Sequence, residues 1–351
     1  MIKHVSHIVA VGILVGAMVS MHVGVCFADD DDQRVTWATD RALKFLRRTQ
    51  NPDGSWSSPL FNRNTGVASL AVMAFMAKGH TPRDGKYADV IRKGIDYVLS
   101  SVDEKTGLIA AKDSLSQGPM YSHGISTLML SQAVGMTSGA REKRIRAVLA
   151  DAVKLILQAQ KVTRSVPAQQ GGWRYHATSR DSDVSVTGWQ LLALRGAKNA
   201  GADVPLAAIN DAVAYVKRAA SPGGGFGYLS RGPTIRGRAG IGMLCLEICA
   251  KHHTREALAA GDYLLKNPSK WPDEYFYYGV YYSAHGMYLV GGKYWESFRP
   301  HMETLLLGLQ DYDGGWPAPT NYERHAGRAY YTAMSVMALS VNDHYLPIYE
   351  R

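Results

Sequence analysis

Two stretches that decide the fold, Gln50-Asn-Pro-Asp-Gly-Ser-Trp56 and Gln310-Asp-Tyr-Asp-Gly-Gly-Trp316, share the form Gln-x-x-x-Gly-x-Trp. Gln169-Gln-Gly-Gly-Trp173 and Pro222-Gly-Gly-Gly-Phe-Gly-Tyr228 are looser forms of the same pattern. Asp-Gly is a turn-forming pair, because glycine adopts a positive φ without steric cost. We expect these loops to hold one structural unit against the next, with the Trp over the next unit and the Gln bonded to a neighbouring helix end.

Mostly apolar segments recur between these loops. Three of them, each preceded and followed by a glycine 13 residues apart, lie at 67–78, 189–200 and 280–291. Weaker copies begin at Gly124, Gly240 and Ala333. Each segment is predicted to form a helix of about three turns, with glycine suited to ending it.

A more amphipathic segment precedes each apolar one. In the first, residues 37–48, Ala42 and Phe45 share one stripe and Arg41 and Arg48 lie opposite. The others lie at 90–99, 145–158, 206–218, 255–265 and 298–309. A helix that is apolar all round belongs inside a fold and an amphipathic one belongs outside. We therefore predict an all-α fold, an (α/α)6 barrel of six helix pairs, because an open array would carry polar capping repeats and the last unit keeps its apolar pattern.

The composition excludes several classes of protein. The chain has 351 residues, is 46% hydrophobic and 20% charged, and is therefore globular. Its net charge of +9 is not gathered into a Lys/Arg-rich run, so a nucleic-acid partner is not predicted. The chain contains 20 Tyr and 7 Trp against 7 Phe, and thirteen of the Tyr lie between Tyr275 and Tyr349. Tyr and Trp combine an apolar body with a polar tip, which indicates a surface both apolar and wet.

The N-terminus has the pattern of a secretory signal peptide, residues 1–28. An apolar core at 8–19 is followed by small residues before a cleavage site after Ala28. The alternative is an uncleaved anchor, but His7, Ser20 and His22 leave the apolar run short for a membrane span. We predict a single domain at 29–351 that is exported to the periplasm or the extracellular space, with no stable membrane span after cleavage.

Cys245 and Cys249 are the two cysteines outside the signal peptide, too few for a disulfide scaffold. On a helix they would share a face with His252, so a metal or redox site is conceivable. A single helix rarely supplies three tetrahedral ligands, and buried thiols are the favoured interpretation. No metal and no cofactor is predicted.

The Gln-x-x-x-Gly-x-Trp motif, at the end of an outer helix and before an apolar inner one, resembles the repeat shared by squalene/hopene cyclases and protein prenyltransferase β-subunits. The resemblance covers about 36–341. It implies a barrel of the terpenoid cyclase/prenyltransferase-like superfamily with a ligand cavity at one mouth. The stretches 327–339 and 345–349 resemble secreted bacterial members of this repeat family whose role is mostly unassigned.

The resemblance also implies where a catalytic acid would lie. Squalene/hopene cyclases protonate their substrate with an Asp of Asp-x-Asp-Asp-Thr-Ala, and the matching stretch here is Asp183-Val-Ser-Val-Thr-Gly188. Asp183 is kept, but Ser185 and Val186 occupy the two later acid positions, so the family's proton donor is missing. We expect Asp183 to cap the inner helix; in the alternative, Asp181 and Asp183 substitute after a loop shift. The zinc ligands of prenyltransferases and the thioester motif of complement-type domains are not matched.

Residues at the starts of inner helices are expected to face the cavity, although many tyrosines there could instead pack helix against helix. The pocket candidates are Tyr121, Tyr175, Tyr277, Tyr278, Tyr281, Tyr282, His325, Arg328 and Tyr331. The weaker catalytic candidates are Asp181, Asp183, His123, His176 and Arg238.

Three functions remain open at this point. The first is a non-cyclising binding or scaffold protein with an aromatic-lined pocket for a lipid, such as an isoprenoid, or a glycan. The second is a secreted glycan lyase or hydrolase on an α/α barrel, which would use Tyr, His, Arg or paired carboxylates. The third is a divergent terpene cyclase, which requires an acid in the cavity.

Overall fold

A computed structural model describes residues 26–60, 62–112 and 118–349 of the chain, with side chains from Asp32 onward. Most of the signal peptide proposed at 1–28 lies outside the described residues, so the cleavage site after Ala28 and the domain limits stay predictions. Within the described ranges, no helix combines the length and apolarity that crossing a membrane requires.

The described chain contains twelve α-helices that alternate between an outer and an inner layer. The outer layer comprises α1 (Cys26–Thr49), α3 (Ala88–Ser100), α5 (Gly139–Lys161), α7 (Leu206–Arg218), α9 (Arg255–Lys266) and α11 (Lys293–Leu309). The inner layer comprises α2 (Thr65–Ala77), α4 (Pro119–Ala133), α6 (Val184–Asn199), α8 (Arg236–Ile248), α10 (Phe276–Val290) and α12 (Arg328–Leu339). A short antiparallel hairpin, β1 (Ser57–Ser58) and β2 (Asn62–Arg63), precedes α2. The predicted all-α class is confirmed.

The inner helices contact one another in sequence around a ring. Each packs against the next inner helix, and α12 packs against α2. The apolar composition explains this position, because these helices are covered on every side: all residues of α2, from Thr65 to Ala77, are buried. All six apolar segments marked in the sequence lie in this layer.

The outer helices bury one face, as their amphipathic pattern requires. In α3, Ile91, Ile95 and Val98 are buried while Asp89 and Lys93 are largely exposed. The predicted bounds of α7 are correct, but α5 begins six residues before the predicted start at 145 and α11 five before that at 298. The added turn of α5 is charged and solvent-exposed, so it contributes nothing to an apolar stripe.

The first repeat loop joins α1 to α3 through its glutamine. The Gln50 side-chain amide donates hydrogen bonds to the carbonyls of Gly54 (3.1 Å) and Val90 (2.9 Å). Trp56 is fully buried and donates from Nε1 to the Leu46 carbonyl at 2.8 Å. The loop therefore binds both neighbouring outer helices.

The last repeat loop makes the same connection between α11 and α1. The Gln310 amide donates to Ala38 (2.8 Å) and Gly314 (2.9 Å), and Trp316 Nε1 donates to Leu306 (2.9 Å). Gly314 has φ +91°, and a Cβ there would lie 2.5 Å from the Arg41 carbonyl oxygen. Only glycine fits this close approach, and it brings the C-terminal unit against the first one.

The third loop uses a different glutamine from the one expected. Gln160, at the end of α5, donates to the carbonyls of Gly171 and Ala208 at 2.8 Å each. Gln169 instead accepts a hydrogen bond from the Ser182 amide (3.3 Å). A 3-10 turn at Pro167–Gln169 lengthens this loop. More residues therefore separate the bonded glutamine from its glycine in the sequence than in the other two loops.

The cysteines lie at the C-terminal end of α8. Cys245 and Cys249 are buried free thiols, and burial raises the pKa of Cys249 to about 12. His252 bonds through Nδ1 to the buried carboxylate of Glu247 at 3.0 Å. Within the described residues, no group of three metal-ligating side chains is assembled.

Candidate functional site

A cavity of about 940 Å³ lies at the N-terminal ends of the inner helices. Its volume falls within the range of roughly 300–1,000 Å³ that is usual for small-molecule sites. Every inner helix, or the loop that leads into it, contributes to the wall. The cavity therefore occupies the end of the ring where the sequence places the candidate site.

The wall combines an apolar, buried part with a more exposed rim. The buried part includes Val67, Leu70, Ile125 and Trp189. Tyr322 and Leu60 line the cavity as well and are 67% and 43% exposed, so they mark its opening. An apolar interior with an open rim suits a ligand that has a hydrocarbon body.

Six of the candidate residues line this cavity. Tyr121, Tyr175, Tyr278 and His325 come from the pocket candidates, and His176 and Arg238 come from the catalytic candidates. Tyr121, Arg238 and Tyr278 lie in the first turns of α4, α8 and α10. The other three, Tyr175, His176 and His325, lie in the segments that lead into α6 and α12.

The structure places Tyr277 and Tyr331 in helix packing instead of at the wall. Their rings stack on each other with centroids 4.9 Å apart, and the Tyr277 hydroxyl donates to the Pro317 carbonyl at 2.7 Å. Tyr277 and Tyr278 are neighbours in α10, but a helix turns by about 100° per residue, so only one of them faces the cavity.

Tyr281 and Tyr282 lie one turn further along α10, beneath the cavity. Both pack against Trp189, with ring centroids 5.7 and 5.2 Å from it, and the Tyr281 hydroxyl bonds to that of Tyr349. They contact the cavity-lining Trp189 and are not themselves among the lining residues, because they face helix packing at the depth where Leu70 and Ile125 face the cavity.

Arg328 also lies outside the wall. Its guanidinium forms ion pairs with Asp311 (2.7 Å) and Asp313 (2.8 Å) and lies over the Phe45 ring at 4.8 Å. Arg328 therefore joins the start of α12 to the loop that follows α11.

Asp183 is fully buried behind the wall and caps α6. One carboxylate oxygen accepts hydrogen bonds from the Val186 amide (2.7 Å) and the Ser185 hydroxyl (2.6 Å), and the other accepts from Arg174 (2.7 Å). Burial raises its pKa, while these three donors act in the opposite direction. Both of its carboxylate oxygens therefore accept hydrogen bonds from groups within the fold.

Ser185, which the resemblance matches with the second acid of the cyclase motif, lines the cavity. The Tyr121 hydroxyl donates to Ser185 Oγ at 2.9 Å, and Ser185 in turn donates to Asp183. A hydroxyl therefore faces the cavity where the resemblance implies a carboxylic acid.

Arg174 organises the adjoining polar part of the wall. It pairs with Asp181 (3.0 Å) and Asp183 (2.7 Å) and donates to the Tyr228 hydroxyl (2.6 Å). Its guanidinium lies over the cavity-lining Tyr175 ring at 4.1 Å. Asp181 is 44% exposed and already paired, so the loop shift proposed for a substitute acid is not present.

His123 is buried away from the cavity. Its Nδ1 accepts from the Ile109 amide (3.1 Å), and its Nε2 donates to the Ala152 carbonyl (3.2 Å). Burial lowers its pKa to about 4, so the ring is neutral at physiological pH. These bonds join α4 to α5 and to the segment that precedes α4. They leave neither ring nitrogen free for a ligand.

Glu323 is a buried acid of the wall that was not among the sequence candidates: it lines the cavity although it is only 5% exposed. Its two oxygens accept from the backbone amides of Tyr278 (3.0 Å) and Tyr277 (3.1 Å), closing the start of α10. Burial raises its pKa to about 7, and the hydrogen bonds from these amides act in the opposite direction. Its one sequence signal is its position just before an inner helix, as for Asp183.

The fold is similar to solved structures of type II terpene cyclase MstE from Scytonema. A variant in complex with geranylgeranyl dihydroxybenzoate, described as its substrate, gives a TM-score of 0.63 at 13% identity, with 91% of this chain and 99% of that chain covered. The apo structure gives a TM-score of 0.58 at 13% identity, with 90% and 100% covered.

A protein from Actinoplanes is also similar, with a TM-score of 0.54 and 14% identity over 87% of this chain and 98% of that one. No family model matches the sequence. At these identities the similarity shows the fold, which is all-α and like that of the terpenoid cyclases. What the site does must be argued from its own residues.

Proposed function

We propose that this protein is a non-cyclising binding protein whose cavity takes up an isoprenoid-like lipid. The observation that carries the proposal is an apolar, aromatic cavity of about 940 Å³ that has Ser185 at one of the later acid positions of the cyclase motif. Similarity to a cyclase whose structure holds a geranylgeranyl compound supports a ligand with an isoprenoid chain.

The polar groups behind Ser185 support a binding role over the cyclase chemistry. Protonating an alkene needs a strong acid with a free proton, and a serine hydroxyl is far too weak. Asp183 is separated from the cavity by Ser185 and is ion-paired with Arg174.

A lipid is favoured over a glycan because of the buried wall. Val67, Leu70 and Ile125 offer no partners for sugar hydroxyls, and burying hydroxyls without hydrogen bonds is costly. Two groups needed for the lyase or hydrolase alternative, His123 and Asp183, are engaged within the fold.

A second candidate function is a divergent cyclase in which Glu323, instead of Asp183, supplies the proton. It is favoured by the place of this carboxyl in the cavity wall and by its pKa of about 7, which keeps about half of it protonated at neutral pH. Aromatic rings such as those of the cavity-lining Trp189 and Tyr278 are suited to stabilising a carbocation.

Export belongs to the proposal, since it rests on the signal-peptide pattern at 1–28. A lipid-binding protein in the periplasm or outside the cell would keep an apolar ligand away from water. We propose no nucleic-acid partner and no cofactor.

Titration with geranylgeraniol, followed by fluorescence of the cavity-lining Trp189 and by native mass spectrometry, tests the first candidate. We expect a one-to-one complex that Val67→Trp, which fills part of the cavity, abolishes without lowering the melting temperature by more than a few degrees. Absence of a complex with the wild-type protein would refute lipid binding.

Product analysis after long incubation separates the two candidates. A non-cyclising protein returns the polyprene unchanged. A cyclised product that forms with the wild-type protein and with Asp183→Asn, but not with Glu323→Gln, would establish the second candidate and overturn the first.

A further inference from the structure

One arginine of the cavity wall has no carboxylate partner among the described residues. Arg238 lies in the first turn of α8; its Nη2 donates to the Pro233 carbonyl at 3.1 Å, and its buried Nε has no hydrogen-bond partner in the described part of the chain. Three other arginines at this end of the ring, Arg174, Arg236 and Arg328, are paired with aspartates.

Tyr278 extends from α10 toward the same turn of α8. A Cβ on Gly237, the residue before Arg238, would lie 2.6 Å from the Tyr278 ring. The Tyr278 hydroxyl is buried and forms no hydrogen bond of normal geometry with the described residues. Burial and the Asp183 charge raise its pKa, while the Ser185 hydroxyl and the Arg238 charge act in the opposite direction.

The nearby carboxylates do not neutralise Arg238. Both oxygens of Glu323 accept backbone amides of α10, Asp183 pairs with Arg174, and Glu274 lies on the exposed rim. Keeping an unpaired guanidinium beside an apolar wall is costly, whereas an anionic oxygen in contact with it forms strong, charge-assisted hydrogen bonds. α8 also begins without a side-chain cap, so its partly positive end lies beside this arginine.

From these contacts we propose that the ligand of the cavity carries an oxyanion head group, a carboxylate or a phosphate, bound by the Arg238 guanidinium and the Tyr278 hydroxyl. The head group lies between the first turns of α8 and α10, and the hydrocarbon chain extends along Val67, Leu70 and Ile125. The inference rests on the proposed lipid-binding function and specifies the chemistry of the bound end.

Three farnesyl compounds with one chain and different heads test this: farnesoic acid, farnesyl phosphate and farnesol. Calorimetric titration of the whole protein at neutral pH should show that one or both anions bind about 10- to 100-fold more tightly than the alcohol, the range for a hydrogen-bonded charge. The tighter anion identifies the head group.

Arg238→Gln should abolish the preference for the anions while leaving farnesol affinity within about twofold. Tyr278→Phe should reduce the preference for the anions about 3- to 10-fold. Arg236→Gln is the matched control, because Arg236 starts the same helix but pairs with Asp273 outside the wall, and it should keep the preference.

Equal affinity of the wild-type protein for acid, phosphate and alcohol would overturn the inference and leave lipid binding intact. A preference that survives in Arg238→Gln would overturn it as well. If none of the three compounds binds, the proposed lipid-binding function fails together with it.

Discussion

The ionisation of the Glu323 carboxyl in the cavity wall should change the free energy of unfolding with pH by a measurable amount. The ordinary pKa of a glutamate is 4.5, and burial raises that of Glu323 to about 7 in the folded protein. Between these values the folded chain keeps a proton that the unfolded chain has lost, so stability falls as pH rises through this window. At about 1.4 kcal/mol per pKa unit, the loss is about 3 kcal/mol.

Glu323→Gln removes this titration and keeps one oxygen that can accept a backbone amide of α10. Urea unfolding of both proteins across pH 4.5 to 8 gives the difference in unfolding free energy at each pH. We expect the advantage of the wild-type protein to shrink by about 3 kcal/mol between pH 4.5 and 7, and to level off above that. The unfolding free energies of the two proteins are compared at each pH because His123 and His285, a buried residue of α10, titrate in both of them.

The two histidines change stability with pH in the opposite direction. Burial lowers the pKa of both to about 4, so they reduce stability as pH falls below 6.5, equally in the two proteins. A wild-type advantage that stays constant between pH 4.5 and 7, or that grows with pH, would show that Glu323 is not held as a buried, partly protonated acid.

Three further changes test the fold around the site. Gly314→Ala should lower the free energy of unfolding in urea by about 1–3 kcal/mol more than Gly201→Ala. Both glycines have φ near +90°, but only a Cβ at Gly314 would meet a carbonyl oxygen, so equal losses would contradict this. Asp183→Ala should cost about 2–4 kcal/mol, since it removes the cap of α6 and a buried ion-pair partner, whereas the exposed Asp181→Ala should cost less than about 1 kcal/mol; similar losses for both would be inconsistent with the burial difference. In NMR titrations His123 should remain neutral down to about pH 4; titration near 6.5 would show that the ring is not buried.

The helices were predictable to different degrees. The six inner helices follow from their apolar segments, because a helix covered on every side has few polar residues and its composition alone marks it. The outer helices follow from one-sided apolar stripes, and this signal fails where a helix extends into solvent. The charged first turn of α5, beginning at Gly139, carries no stripe and was missed.

The candidate site was predictable in position but not in detail. The starts of the inner helices were expected to form the mouth of a cavity, and the cavity lies there. Which side chains reach it depends on helix rotation, so Tyr278 lines the wall while its neighbour Tyr277 packs against Tyr331. In the third repeat loop, Gln169 was expected to make the connecting hydrogen bonds. Gln160 makes them instead, because a 3-10 turn lengthens the loop.

The sequence by itself determined the all-α class and the alternation of two helix types, since each depends on residue type and local spacing. Only the tertiary structure decided which charges are compensated. Glu323 caps a helix that begins more than forty residues earlier in the chain. Among the described residues Arg238 has no acidic partner, because the aspartates at this end of the ring pair with other arginines. Such pairings depend on distances between segments far apart in sequence, which a linear pattern does not contain.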